Sequence, residues 1–283
     1  MTERYRFALI GHDISYSRSP AIFSAIFDDL DVAGRYDLID VEPGKLPQVL
    51  ETIRHDGTQG FSVTIPYKQD VIEALDDVNA TVKALDAVNC VRVEEGGQLS
   101  GHNTDCYGFA LPLLTIGGEL AGGRAVLFGN GGAARAVAFS LSTAFRINEF
   151  LILGREPARL GEFSDWLKAI APEAQVVTKP IDQVSSDDVT QTAIVVNCTP
   201  LGGFNHPDQS PFDPIGGPVE GQVYYDLNYN PGNQVVAAAR PQVKHVLDGS
   251  HMLVGQAVRS FEIWTGKTAD PKSVYRRVFG AGA

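Results

Sequence analysis

The chain has 283 residues, of which 44% are hydrophobic and 20% charged, so it can form one large or two ordinary soluble domains. Its net charge of −11 argues against a nucleic-acid partner, because phosphate binding requires clustered lysine and arginine. A small anionic ligand remains possible, since a few local cations outweigh a distant negative surface. The sequence shows neither a signal-peptide pattern nor the roughly 18 apolar residues that span a membrane. We therefore expect a cytoplasmic protein without a membrane partner.

Cysteine and histidine are sparse. The three cysteines are odd in number and far apart, which favours reduced thiols over a disulfide framework. The six histidines show no metal-ligand spacing with one another or with the cysteines. No metal site is expected.

The first strand is predicted at residues 6–10, and a serine-rich loop follows it. Ser19 and Pro20 form a helix-start pattern, with a hydroxyl at the N-cap and proline at the first helical position, so a helix is expected over residues 21–30. Capping alone would explain one serine, but Ser17 is additional, and a hydroxyl-lined helix N-terminus suits a carboxylate. A second strand is predicted at 36–41 and a second helix at 46–55.

The next strand, over residues 60–65, has alternating polarity. Its apolar face would carry Phe61, Val63 and Ile65, and its polar face Ser62 and Thr64. Pro66 ends the pairing, so Lys68 is expected just past the carboxyl end of the strand, where α/β proteins place ligands. A single surface lysine is usually only solvated, but the polar face that leads to Lys68 favours a functional role.

Short helices are predicted within residues 70–85, and a hairpin over 88–100. The segment Asn103-Thr104-Asp105 precedes a helix predicted at 107–114. On pattern alone, these three polar residues are interpreted as capping residues.

A glycine-rich turn follows the apolar strand at residues 125–128. Its spacing, Gly129-x-Gly131-x-x-Ala134, fits the dinucleotide fingerprint. Gly129 permits the tight turn, and Gly131 lets the backbone approach a pyrophosphate, which the N–H groups of the following helix would face. A second apolar strand at 150–153 completes a βαβ unit of about 30 residues. Later strands, predicted at 175–178, 193–197, 223–227 and 244–247, imply a parallel, doubly wound sheet.

The end of the second nucleotide strand decides between NAD and NADP. An acidic residue there binds the ribose of NAD, whereas arginine accommodates the 2′-phosphate of NADP. Arg155 lies at this position and Arg159 follows, which favours NADP. Glu156 would repel a phosphate or receive a ribose, so NAD is not excluded.

Several separated motifs occur in a specific order. They are Ser17-Arg18-Ser19-Pro20, Val63-Thr64-Ile65-Pro66-Tyr67-Lys68, Ala87-Val88-Asn89, Asn103-Thr104-Asp105, Gly129-Asn130-Gly131-Gly132-Ala133-Ala134-Arg135, Asp226-Leu227-Asn228-Tyr229-Asn230-Pro231 and Met252-Leu253-Val254-Gly255-Gln256. As an ordered set they resemble the shikimate dehydrogenase family along nearly the whole chain.

The resemblance implies a two-lobed α/β fold. Residues 1–106 would form a substrate-binding and catalytic domain, completed by C-terminal helices at 251–283. Residues 107–250 would form a Rossmann-type, doubly wound NADP-binding domain. The family fold also implies a cleft between the lobes and a monomer or homodimer.

The resemblance further implies reversible, NADP-linked reduction of 3-dehydroshikimate to shikimate, with Lys68 as acid/base and Asp105 as its partner. The implied substrate-binding residues are Ser17, Ser19, Ser62, Thr64, Asn89, Tyr229 and Gln256. The implied cofactor-binding residues are Gly129, Asn130, Gly131, Gly132, Ala133, Arg155, Arg159, Thr199, His251 and Met252.

Three positions depart from the family pattern. Ser62 stands where asparagine is common, Asp13 replaces a common proline, and His251 places an imidazole where the chain is thought to pass the nicotinamide. Quinate and aminoshikimate therefore stay open as substrates. A methylenetetrahydrofolate-dehydrogenase-like enzyme is disfavoured by the serine loop and the N-T-D motif. A non-catalytic NADP- or shikimate-binding sensor is a further alternative, which the presence of Lys68 and Asp105 disfavours.

Overall fold

The computed structural model describes residues 4–218, 220–230 and 232–280. The chain divides into two compact units. The first comprises the described parts of Met1–Gly108 and Leu253–Ala283, and the second comprises those of Phe109–Met252. No helix in the described ranges is long and apolar enough to cross a membrane.

A mixed six-stranded sheet organises the described part of the first unit. Its strands are β1 (Arg4–Gly11), β2 (Ala33–Asp40), β3 (Gly60–Val63), β4 (Asp77–Val78), β5 (Cys90–Val93) and β6 (Leu99–His102), in the order β2-β1-β3-β5-β6-β4. Strand β1 is parallel to β2 and β3, whereas β5 is antiparallel to β3 and β6. The accompanying helices are α1 (Ser19–Asp29), α2 (Leu46–Ile53), α3 (Ala80–Leu85) and α4 (Asp105–Leu113).

The central strand β1 is buried on both faces. Phe7 and Leu9 join one hydrophobic cluster with α1, while Ala8 and Ile10 join another with Leu50 of α2. Because successive side chains of a strand point to opposite faces, this apolar run supports a core on each side of the sheet.

The second unit contains a wholly parallel six-stranded sheet within the described residues. Its strands are β7 (Arg124–Phe128), β8 (Glu149–Gly154), β9 (Gln175–Pro180), β10 (Ile194–Asn197), β11 (Val223–Asp226) and β12 (His245–Leu247), in the order β12-β11-β10-β7-β8-β9. Its helices are α5 (Gly117–Leu120), α6 (Gly132–Phe145), α7 (Pro157–Ile170), α8 (Ser186–Val189) and α9 (Gln234–Ala239). The predicted α/β class with a doubly wound sheet is confirmed. The strand order reverses between β7 and β10, which is where such sheets bind ligands.

The C-terminal helices α10 (Gly249–Thr265) and α11 (Pro271–Phe279) contribute to the core of the first unit. Trp264 is the main anchor of α10. Its Nε1 donates a hydrogen bond to the Val91 carbonyl oxygen at 2.9 Å, and its ring stacks on Phe7 with centroids 4.6 Å apart. A Cβ on Gly60 would lie 2.4 Å from the Trp264 ring, so this position of β3 requires glycine.

Two local predictions were wrong. Strand β3 ends at Val63, and Ile65 is 74% exposed instead of extending the buried face. The chain folds back here because the Ile65 carbonyl accepts a hydrogen bond from His12 N at 3.2 Å, which leaves the side chain in solvent. Ser19 is the first residue of α1 and Arg18 occupies the N-cap. The hydroxyl that accepts the Ser19 N–H belongs to Ser17, at 3.2 Å.

Replacing Trp264 with phenylalanine should destabilise the first unit by about 2–4 kcal/mol, because the substitution removes ring volume and a buried hydrogen bond. Urea unfolding followed by far-UV circular dichroism measures the change. Trp166→Phe is the matched control, since Trp166 is only partly buried and belongs to the second unit. Equal midpoints for the two variants would refute the anchoring role of Trp264.

Candidate active site

Lys68 and Asp105 form an ion pair in the first unit. The Lys68 Nζ lies 2.6 Å from Asp105 Oδ2, and the two side chains are 29% and 12% exposed. Lys68 follows the turn after β3, and Asp105 is the first residue of α4. Asn103 does cap this helix, because its Oδ1 accepts a hydrogen bond from Asp105 N at 3.0 Å. The Asp105 carboxylate is thereby left to orient an accessible ammonium.

The Asn89 side chain fixes the other oxygen of this carboxylate. Its Nδ2 donates to Asp105 Oδ1 at 2.8 Å and to Thr104 Oγ1 at 3.0 Å, while its Oδ1 accepts from Thr104 N at 2.7 Å. Asn89 is 3% exposed, and both of its amide protons are donated to protein atoms. The A-V-N and N-T-D segments are therefore two halves of one network.

A cluster of hydroxyl groups lies where β2, β3 and the start of α1 meet. Ser17 Oγ donates to Ser19 Oγ at 3.2 Å. Tyr36 of β2 faces the hydroxyls of Ser19 and Ser62; burial raises its pKa, and the two serines oppose that rise. Neither Tyr36 Oη nor Ser62 Oγ completes a hydrogen bond within the described residues, although both atoms are buried. Buried hydroxyls normally have partners, so this cluster is a candidate site for a ligand that forms hydrogen bonds.

Thr64 and Gln256 are also in the first unit. Thr64 packs closely on the loop after β1, since a Cβ on Gly11 would lie 2.5 Å from Thr64 Cγ2. Gln256 of α10 is 8% exposed, and its Nε2 donates to the Leu253 carbonyl oxygen at 2.9 Å. This bond uses the amide nitrogen, so the amide oxygen Oε1 of Gln256 can still accept a hydrogen bond.

The glycine-rich turn connects β7 to α6. Gly129 has a φ of +105°, and a Cβ there would lie 3.1 Å from the Cys198 carbonyl oxygen, so both conformation and space require glycine. A Cβ on Gly131 or Gly132 would instead point into open space. Gly132 and Ala133, in the first turn of α6, are exposed. The turn therefore presents unobstructed backbone N–H groups of the kind that bind phosphates.

The neighbouring strand end carries two further cofactor candidates. Asn130 packs beside Gly154, and its buried Nδ2 has no partner among the described residues. Arg155 is exposed and makes no ion pair within the described ranges. Glu156, in contrast, lies 3.3 Å from Arg159 Nε. The Glu156 carboxylate is therefore paired with Arg159 and not with Arg155. Arg155 can contact an anion.

Thr199 and Tyr229 follow β10 and β11. The Thr199 hydroxyl donates to Asn197 Oδ1 at 2.6 Å, so its side chain is committed to the loop. The Tyr229 ring contacts Phe204 edge-on, with centroids 5.8 Å apart. Thr199 lies close to Gly129, since a Cβ on that glycine would be 3.3 Å from Thr199 Cγ2.

His251 and Met252 lie in the first turns of α10. The His251 Nδ1 is 3.5 Å from Asp248 Oδ1, and Met252 packs against the core of the second unit. Of the candidate residues named from the sequence, Lys68, Asp105 and the hydroxyl cluster lie in the first unit. The glycine-rich turn lies in the second unit, with Arg155, Thr199 and Tyr229. Within the described residues no cluster of three His, Cys, Asp or Glu side chains could hold a metal ion.

Comparisons with known proteins identify the family. Residues 9–91 match the family model described as the shikimate dehydrogenase substrate binding domain, and residues 249–279 match the shikimate 5'-dehydrogenase C-terminal domain. Shikimate dehydrogenase (NADP(+)) of Moorella thermoacetica is 37% identical over 276 residues, which cover 96% of this chain and 91% of that protein. The chain belongs to the shikimate dehydrogenase family.

Solved structures show the same fold. Shikimate 5-dehydrogenase from Thermus thermophilus, in complex with NADP(H) and shikimate, has a TM-score of 0.80 at 30% identity, with 97% of this chain and 98% of that chain covered. Quinate dehydrogenase from Corynebacterium glutamicum, in complex with NAD, has a TM-score of 0.86 at 28% identity, with coverage of 97% and 99%. As a member of the shikimate dehydrogenase family, the chain is an oxidoreductase with a Rossmann-type fold.

Sequence reasoning missed two polar residues of this shikimate dehydrogenase family member. Tyr36 was placed only in a predicted strand, and Asp226 was quoted only as part of a motif. Strand alternation could have shown that Tyr36 is buried, but the approach of its hydroxyl to Ser62 depends on the pairing of β2 and β3 with β1.

Asp226 is a fully buried carboxylate at the end of β11. Its Oδ2 accepts from Tyr224 Oη at 2.7 Å and from Asn197 Nδ2 at 3.1 Å, and its Oδ1 accepts from the backbone N and the Nδ2 of Asn228. Burial raises the pKa of Asp226, and these donated hydrogen bonds lower it. Asn228 Nδ2 also reaches the Thr199 carbonyl oxygen at 3.0 Å, so the buried carboxylate organises the loop after β10.

Asp226→Asn should destabilise the second unit by about 2–4 kcal/mol. Both oxygens of Asp226 accept hydrogen bonds, whereas asparagine has only one acceptor oxygen. Its NH2 group would face donors, and those donors would lose their acceptor. Thermal unfolding at neutral pH measures this change. Asp208→Asn is the control, since Asp208 is exposed. Equal melting temperatures for the two variants would contradict the organising role of Asp226.

Proposed function

We propose that the chain catalyses the reversible, NADP-dependent reduction of 3-dehydroshikimate to shikimate. The observation that carries this proposal is the Lys68–Asp105 pair, held by Asn89 beside a cluster of buried hydroxyls. The relatives named above supply the substrate and the cofactor, since the Moorella protein is named an NADP-dependent shikimate dehydrogenase. Shikimate and NADP(H) are both bound in the Thermus thermophilus structure.

Lys68 is the proposed acid/base. The bound cofactor would supply a hydride as NADPH in the reduction and receive one as NADP+ in the oxidation. The carbonyl oxygen that becomes a hydroxyl must gain a proton in the same reduction. An ammonium group at this oxygen donates the proton and stabilises the developing negative charge. In the reverse direction, the neutral amine accepts the proton from the hydroxyl. Asp105 fixes the position of Lys68 Nζ and accepts a hydrogen bond from a neighbouring ring hydroxyl.

The hydroxyl cluster is the proposed carboxylate site. Ser17 and Ser19 lie at the start of α1, and Tyr36 and Ser62 add two buried hydroxyls that lack partners in the described residues. Together they offer hydrogen-bond donors to an anionic group without a cation. Thr64 and Gln256 complete the proposed substrate site toward the ring hydroxyls within the first unit. Asn89 acts through Asp105, because its amide protons are already donated.

The second unit is the proposed cofactor domain, and the first, with the C-terminal helices, is the substrate domain. The open backbone at Gly131 and Gly132 suits the pyrophosphate, and the orphaned Asn130 Nδ2 lies beside it. Arg155 is positioned to contact the 2′-phosphate, while the backbone near Thr199, His251 and Met252 would follow the remainder of the dinucleotide.

Quinate or aminoshikimate is the alternative substrate, because Ser62 replaces a common asparagine and a quinate dehydrogenase shares the fold. A non-catalytic sensor would have no need of an ammonium group held at 2.6 Å from a carboxylate, so the observed pair favours an enzyme. Reduced-cofactor absorbance with shikimate, quinate and aminoshikimate, each with NADP or NAD, separates these possibilities.

Lys68→Ala should lower kcat for shikimate oxidation by roughly 10²–10⁴-fold, because the acid/base group is removed. Steady-state assays with NADP measure the loss. Lys83→Ala, which removes an exposed lysine of α3, is the matched control and should retain full activity. Activity within a few-fold of the parent protein would remove Lys68 from the acid/base role.

Arg155→Ala should weaken NADP binding by roughly tenfold and leave NAD binding unchanged, since a charged hydrogen bond to the 2′-phosphate is lost. Titration with each dinucleotide measures both affinities. Lys168→Ala is the control, because Lys168 is an exposed cation in the last turn of α7 and should leave both affinities unchanged. Equal losses for NADP and NAD would disprove the assignment of Arg155.

A further inference from the structure

Ser260 is a fully buried serine on α10, one helical turn after Gln256. Its Oγ donates to the Gln256 carbonyl oxygen at 2.8 Å and lies 3.1 Å from Thr104 Oγ1. The serine thus connects the helix that carries Gln256 to the N-T-D segment that carries Asp105. None of the substrate- or cofactor-binding roles considered above includes it.

The directions of these hydrogen bonds can be assigned. A serine hydroxyl has one proton, and here it is donated to Gln256, so Ser260 Oγ can only accept from Thr104. With its own proton donated to Ser260, the Thr104 hydroxyl accepts from Asn89 Nδ2 at 3.0 Å. The second Nδ2 proton of Asn89 is donated to Asp105 Oδ1. A continuous series of hydrogen bonds therefore joins α10 to the Asp105 carboxylate, which orients Lys68.

We propose that Ser260 is a positioning residue for Asp105 and Lys68, acting through Thr104 and Asn89. This proposal rests on the proposed function, because its effect is read at the Lys68–Asp105 pair. The Ser260 hydroxyl fixes which way the Thr104 hydroxyl points, and Thr104 in turn fixes the orientation of the Asn89 amide. A change of Asn89 orientation moves Asp105 Oδ1, and the Lys68 ammonium with it.

In the described part of the chain, the side chains beside Ser260 are poor substitutes for its hydroxyl, since a cysteine sulfur is a weak acceptor and an indole N–H only donates. Cys90 and Trp264 are buried beside it, and the Trp264 indole N–H is already donated to Val91. Without Ser260, the acceptor recorded for the Thr104 hydroxyl in the described residues is Asn89 Oδ1, at 3.3 Å. The same hydroxyl would then both donate to and accept from one amide group, a geometry that cannot make two good hydrogen bonds.

The fold does not depend on the Ser260 hydroxyl. Trp264 and Phe261 already anchor α10 through ring contacts with Phe7, and the Gln256 carbonyl remains in the helical hydrogen-bond ladder. The loss expected in Ser260→Ala is therefore catalytic. It is distinct from the core defect predicted for Trp264.

Steady-state kinetics of the full chain test the proposal. Ser260→Ala should lower kcat for shikimate oxidation by roughly 3- to 10-fold, which corresponds to one net hydrogen bond, with the KM for NADP unchanged. Thr265→Val is the matched control, because Thr265 makes the same type of bond to Phe261 on α10, at 2.8 Å, but has no link to Asp105. In a double-mutant cycle, Ser260→Ala should add nothing to Thr104→Val, since both break the same series of hydrogen bonds.

A second readout needs no substrate. In protein labelled with 15N-lysine, the Lys68 Nζ signal is assigned by its absence from Lys68→Arg, and Ser260→Ala should shift or broaden it while Thr265→Val leaves it in place. An unchanged Lys68 signal together with a kcat within twofold of the parent would overturn the proposal, as would additive effects in the cycle. If the parent protein fails to oxidise shikimate, the proposed function fails, and the Lys68 signal alone decides the role of Ser260.

Discussion

The active site depends on holding one carboxylate from two sides. Asp105 Oδ1 is fixed by Asn89 and Oδ2 by Lys68, and these three residues come from separate segments. The antiparallel register of β3 and β5, in which Ser62 lies opposite Cys90, brings the segments together. Backbone hydrogen bonds from Val88 N to the Lys68 carbonyl oxygen and from Val63 N to the Asn89 carbonyl oxygen then lock the two ends. The geometry of the Lys68–Asp105–Asn89 arrangement is therefore a direct consequence of sheet pairing.

The second unit also contains a buried carboxylate, Asp226, but the groups that hold it are uncharged. Among the described residues, Asp226 receives neutral donors from Tyr224, Asn197 and Asn228 and forms no ion pair. Desolvation of this carboxylate is compensated by hydrogen bonds alone, so its role is to hold loops. Asp105 differs because one of its oxygens faces a half-buried ammonium. A buried carboxylate organises chain ends in both units, but in the described residues only Asp105 is paired with an accessible ammonium, that of Lys68.

Local patterns predicted what is locally determined. The strand, turn and helix around Gly129 follow from apolar runs and glycine spacing, and the structure reproduces them. The same reasoning extended β3 to Ile65, because the alternation of apolar and polar residues does not show the hydrogen bond from His12 N to the Ile65 carbonyl, where the chain turns. Local patterns also do not show which residues from distant parts of the sequence come into contact. Pattern alone assigned Asp105 to capping, and only the family resemblance paired it with Lys68, 37 residues away.

The hydroxyl cluster bears on substrate choice. Within the described residues, Tyr36 Oη and Ser62 Oγ are buried and complete no well-formed hydrogen bond, although the two hydroxyls face each other. A buried hydroxyl left unsatisfied costs about 1–3 kcal/mol. A ligand group that accepts from both recovers this cost, whereas an apolar group in the same place does not. Because the cluster contains no cation, it distinguishes ligands by the number and direction of their acceptors and not by charge alone. Serine at position 62 is also shorter than the common asparagine, so the ligand must bring its acceptor closer to β3 for this recognition to work.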